Sequence, residues 1–149
     1  MKGTKIIIIA GILMTVLLSA CNRNAADMVV DGGVTIDEKT NTVTFQGSLT
    51  DKQLEPDTPF QVRFYLEGKT VRNALGTDLV YVDGEFKSHK QGEASETIEV
   101  RKTIDIKKPE EIDKLVNEIK NKEEKAVTIE IINDAGRIDE EVLHSVSKE

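Results

Sequence analysis

The residue types that most often carry chemistry are sparse here and poorly spaced for it. The chain has two histidines, His89 and His144, one cysteine, Cys21, and no tryptophan. Neither histidine stands in a His-x-x-x-His or similar spacing that would bring metal ligands onto one face. His89, among polar neighbours, is expected to be exposed. His144 shares the parity of Val142 and Val146 and reads as a partly covered strand residue. Serine hydrolysis needs a nucleophile on a sharp turn with a base in reach, but no Gly-x-Ser-x-Gly occurs, and Ser48 in "QGSL" reads as an outward residue in mid-strand.

Carboxylates are plentiful in Asp139, Glu140 and Glu141. Acid–base work needs two carboxyl groups whose environments push their pKa values apart, and a run of three reads better as a solvated edge. "NDAGRIDEE", Asn133 to Glu141, gathers oxygens around a glycine without the alternating Asp or Asn and distal Glu of a calcium loop, so an ordinary hairpin is expected. "DGG", Asp31 to Gly33, precedes a strand where a phosphate loop would need a helix. No catalytic residue, metal or cofactor is therefore expected, and envelope enzymology by unrecognised carboxylates is the alternative. The one candidate recognition surface is an outward stripe of Arg63 and Tyr65, extended by Tyr81 and Arg101, because Tyr and Arg contribute heavily to interface energy. Plain cross-strand neighbours would look the same.

Cysteine has a different meaning at the start of the chain. Lys2 and Lys5 precede thirteen residues, Ile6 to Leu18, that are apolar apart from Ala10, Gly11 and Thr15. This has the shape of a secretory signal, too short to span a bilayer comfortably. "LSAC", Leu18 to Cys21, resembles the lipobox of bacterial lipoprotein precursors. That resemblance implies cleavage between Ala20 and Cys21, a diacylglyceryl group on the Cys21 thiol, and acylation of the new amino terminus. Two long acyl chains, at roughly 0.8 kcal/mol per buried methylene, hold where one leaves a protein exchanging. The resemblance covers residues 1–21, and localisation on the extracytoplasmic side of a cell membrane follows from it.

Once lipidated, the thiol is unavailable as nucleophile, redox centre or zinc ligand. The rest must fold by burial alone, which a chain of this length can do. Acidic residues number 27 against 20 basic ones, and the two signal lysines are among the latter. This balance argues against nucleic acid and against flat adhesion to anionic lipid. Cys21 to Asp27 reads as the lipidated residue and a short polar spacer, and residues 28–149 as a single domain.

Period-two alternation dominates that domain. Val34 and Ile36 lead through "DEKTN" to Val43, Phe45, Gly47 and Leu49. Phe60, Val62, Phe64 and Leu66 face inward in the next strand. In "DLVYVDGEFKSH", Asp83 and Gly84 suit a tight hairpin. Ile98, Val100, Ile104 and Ile106 follow, with Lys102 an exception that suggests an edge. Ile112, Leu115, Val116 and Ile119 change to helical spacing after Pro109, predicting one amphipathic helix over about 109–123. Val127, Ile129 and Ile131 form a strand joined by "NDAG" to Ile138, Val142 and Val146. That last run also fits helical spacing, and the strand reading is preferred.

The pattern predicts a mainly β fold, an antiparallel two-layer sandwich that is immunoglobulin-like in the broad sense, with an open α+β sheet carrying the helix on one face as the alternative. The expected function is that of a lipid-anchored, non-catalytic binding or structural module of the bacterial envelope. Its partner would be an envelope protein or small ligand. Exclusion of phage or conjugation fits the same size and address.

Overall fold

A computed structural model describes residues 24–149. The expected signal segment, Ala20 and Cys21 lie outside the described residues. The described residues are mainly β, with one sheet of four strands, one of five, and two short helices.

In the first sheet, β1 (Val29–Asp37) and β2 (Thr42–Thr50) form the expected hairpin. Its turn is held locally: the Asp37 carboxylate accepts the N–H groups of Lys39 and Thr40 at 2.9 and 3.1 Å, and Asn41 takes a φ of +53°, a conformation asparagine tolerates better than most residues. β6 (Thr97–Asp105) pairs with β2 from Thr50↔Thr97 to Thr42↔Asp105 without a break and forms one edge. Lys102 points inward there, and its amine emerges to meet Asp83 at 2.7 Å. The other edge is β9 (Val146–Lys148), parallel to β1.

In the second sheet, β3 (Pro59–Leu66) is central, flanked by β7 (Val127–Asn133), which in turn pairs with β8 (Gly136–Val142). On its other side β3 pairs with both β4 (Leu79–Tyr81) and β5 (Phe86–Lys87). This corrects the expected hairpin at Asp83 and Gly84. Gly84 does take positive φ, at +91°, but it lies in a link between two pieces of one interrupted edge strand. The physical reason is burial. Against β3, Val80 enters the core and the Phe86 ring stacks on Phe60 at 5.6 Å, whereas a lone two-stranded ribbon would leave both in water.

Inward residues of the two sheets meet. Phe45 and Phe64 stack at 5.2 Å, and a Cβ built on Gly47 would come within 2.5 Å of Ile129 Cδ1, so this strand position admits only glycine without displacing its neighbour.

The helical expectation needs two corrections. Pro109–Glu111 forms a 3-10 turn and the α-helix proper ends at Lys120, because nothing apolar follows Ile119 to hold another turn. A second helix was not foreseen: α1 (Lys69–Leu75) precedes α2 (Ile112–Lys120) and buries Val71, Ala74 and Leu75. Both helices close the end of the two sheets where β3 stops and β7 begins, since Gly68 N–H donates to Ala126 and Lys107 N–H to Ala74. No helix among the described residues is long and apolar enough to cross a membrane.

The run 137–146 is extended, as preferred, but it breaks at Leu143–Ser145, where the chain passes from the second sheet to the first. Leu143 N–H donates to Val127 and Val34 N–H to Ser145. His144 therefore sits in the crossover and not in a strand, its ring Nδ1 donating to the Ile119 carbonyl at 2.9 Å. The expected spacer is also not free along its length: Asn24 and Ala26 are bonded to the domain, and Met28 is fully buried.

Candidate functional site

Alternation along β3 turns Arg63 and Tyr65 outward, and register aligns their neighbours. Tyr81 of β4 lies opposite Arg63 on one side, and Glu130 of β7 opposite it on the other. Glu140 of β8 lies opposite Glu130 in turn, so one row reads Tyr81, Arg63, Glu130, Glu140. Arg63 Nε donates to Glu130 Oε2 at 2.6 Å, while Arg137 bonds Glu140 at 2.7 Å and approaches Glu130 at 3.8 Å. The Glu130 side chain is only 9% exposed although it faces outward, because two arginine side chains flank it and cover it with their stems. Burial works against the Arg63 charge, but bonds to Glu130 and Tyr81 outweigh it and hold the guanidinium above its ordinary pKa.

This network fixes Arg63 and leaves the two tyrosines displayed, Tyr65 at 38% and Tyr81 at 48% exposure. A shallow groove of about 490 Å³ lies beside Tyr65, lined among others by Lys125, Glu130, Arg137, Glu141 and His144. Aromatic faces beside charges of both signs suit a polar or peptide-like partner. Of the four residues expected to share a recognition surface, Arg63, Tyr65 and Tyr81 come together. Arg101 does not. It lies on β6 opposite Gln46, in the other sheet, and lines a separate groove with Gly33, Ser48 and Glu99. The inner faces meet in the core, so Arg101 is on the opposite side of the molecule.

A second cluster escaped the sequence reading. Asp51, just after β2, is 2% exposed. Its Oδ2 accepts the His89 N–H at 2.5 Å, with His89 Nδ1 3.2 Å from the same oxygen but making no directed hydrogen bond. Among the described residues Oδ1 has no hydrogen-bond partner. The His89 side chain, expected to be exposed, is 16% exposed, because Asp51 draws residues 88–89 against the loop after β2. A buried carboxylate beside an imidazole can orient a base. The adjacent hydroxyl is already engaged in both directions, however: Ser88 Oγ donates to the Glu55 carbonyl at 2.6 Å and accepts Thr58 N–H at 2.8 Å. The cluster thus acts as a clamp between two loops. Asp51 and His89 are far apart in sequence, and no local pattern could have paired them.

Asp139 is also more than part of a solvated edge. Its Oδ2 accepts the N–H groups of Met28 and Val29 at 2.7 and 2.9 Å. Ser48 is outward as expected and donates to Glu99 at 2.7 Å. No family model, curated protein or solved structure matches the chain.

Proposed function

We propose that this chain is a lipid-anchored protein of the bacterial envelope whose domain is a non-catalytic binding module, held to the membrane through Cys21. The two sheets with their apolar faces together support the sandwich reading, immunoglobulin-like in the broad sense. The recognition surface is the outer face of the five-stranded sheet. The observation that carries this choice is the Arg63–Glu130–Arg137 network, which immobilises long side chains before any partner arrives and leaves Tyr65 and Tyr81 free to be covered. Preorganised aromatic and arginine groups lose less freedom on binding.

Two measurements test this. Cells fed labelled palmitate should incorporate it into the parent chain and not into Cys21→Ser. Photocrosslinkers at residues 65 and 81 should capture the same envelope component, while one at residue 101 should not. Equal capture from all three positions would move the recognition surface elsewhere.

A further inference from the structure

Asn24 lies three residues beyond Cys21, and three peptide units reach about 11 Å at most. From Asn24 onward the chain is fixed to one end of the domain. The side-chain amides of Asn24 and Asn133 exchange hydrogen bonds at 3.1 Å in both directions, and Asn24 also donates to the carbonyls of Gly136 and Arg137 at 3.3 Å. Ala26 N–H follows onto the Ile138 carbonyl at 3.2 Å, and Met28 is fully buried. These partners belong to the β7–β8 turn and the start of β8. The loops around 51–58 and 82–96 lie at the same pole, since Glu85 neighbours Asn133 and Asp57 N–H donates to the His89 carbonyl. The helices lie at the other pole.

We propose that the docked segment Asn24–Met28 stands the domain end-on, with the loop pole apposed to the lipid surface and the helical pole outermost. This rests on the lipid-anchor reading of Cys21. Nine-residue strands of about 3.3 Å per residue run between the poles, so α1 and α2 are held roughly 30 Å farther out than Asn24. Carboxylates outnumber ammonium groups over residues 51–57 and 82–96. The pole therefore abuts a bilayer containing anionic lipid without inserting into it. The face carrying Arg63, Tyr65 and Tyr81 then runs along the membrane normal and opens sideways, toward partners alongside and not above.

Lipidation occupies the one native thiol, so a single introduced cysteine can be labelled selectively. Full-length lipidated Gln91→Cys, at the loop pole, and Glu110→Cys, beside the start of α2, would each carry a fluorophore. Each would be reconstituted in vesicles of phosphatidylethanolamine and phosphatidylglycerol containing a nitroxide-headgroup lipid. Quenching at residue 91 should exceed that at residue 110 several-fold. Vesicle flotation with equal or reversed quenching would overturn the orientation while leaving the anchor standing. Failure to float, with Cys21 itself taking the dye, would overturn the anchor and the orientation together. A flexible Gly-Ser insert between Arg23 and Asn24, long enough to span the domain, should abolish the difference. A difference that survived the insert would overturn the docked segment as its cause.

Discussion

Glu130 shows how one side chain can be buried on a surface. Its carboxylate is bonded by Arg63 at 2.6 Å and faced by Arg137 at 3.8 Å. Removing Arg63 strips that group of its closest donor, and hydrogen bonds to charged groups contribute about 1.5–3 kcal/mol. Arg63→Ala should therefore lower unfolding stability in urea by about 1–3 kcal/mol, at the low end if Arg137 moves in. A double-mutant cycle with Glu130→Ala should give a coupling above about 1 kcal/mol. Additive losses would mean the pair is incidental. Alternation in "FQVRFYLEG" made the outward direction of Arg63 and Tyr65 legible, but Glu130 was not legible, because its burial depends on arginines from two other strands. His89 was misjudged for the same reason: its polar neighbours suggested water, and Asp51, remote in sequence, supplied a buried partner.

At the level of elements, α1 explains why a helix can be hidden from its own sequence. It has no capping side chain, no acidic residue in its first turn, and Gly68 in front. Its first N–H groups are satisfied from α2, where the Glu118 carboxylate accepts Thr70 N–H at 3.2 Å and Val71 N–H at 2.8 Å. Loss of a capping group costs about 1 kcal/mol. Glu118→Ala should remove roughly that much and accelerate amide exchange in residues 69–72, leaving β3 protected. Unchanged exchange there would show that α1 is held by apolar contact alone. The β1–β2 turn makes the opposite case, since its Asp and Asn announced it and they hold it. Bonding by Thr40 N–H is the foremost reason the Asp37 carboxyl lies below its ordinary value, with Lys39 assisting and slight burial opposing. Its contribution to stability is complete above the ordinary aspartate range and is lost as pH falls through the depressed value. A carbon-detected titration should place its midpoint below that of a free aspartate, and the turn amides of Lys39 and Thr40 should shift with it. The Asp83–Gly84 turn was misread because a dipeptide describes its own backbone and not the partner, β3, that both flanking pieces prefer.

For the molecule as a whole, the beginning of the described chain is part of its architecture. A protein starting at Asn24 should unfold as one cooperative unit. One starting at Val29 loses the fully buried Met28 side chain together with the Asn24 and Ala26 bonds. Large buried deletions of this kind cost about 2–5 kcal/mol, so the shorter form should melt well below the longer. Matching midpoints would show that the segment is merely laid on the surface. The two-sheet arrangement itself was legible from alternation, because each strand buries one face. How the sheets are assembled was less so. β9 follows β8 in sequence yet pairs in parallel with β1 of the other sheet, where Val34 N–H donates to the Ser145 carbonyl across the crossover.

Among the described residues one side of β6 is unpaired, and it would acquire a different meaning under the proposed anchor at Cys21. Two molecules that zipped together there about a twofold axis would run head to tail, carrying their first residues to opposite ends of the pair. Copies rooted in the same bilayer cannot adopt that pose. An anchor at Cys21, as proposed, would thus guard a border otherwise protected only by the charges that β6 itself carries, Glu99, Arg101, Lys102 and Asp105.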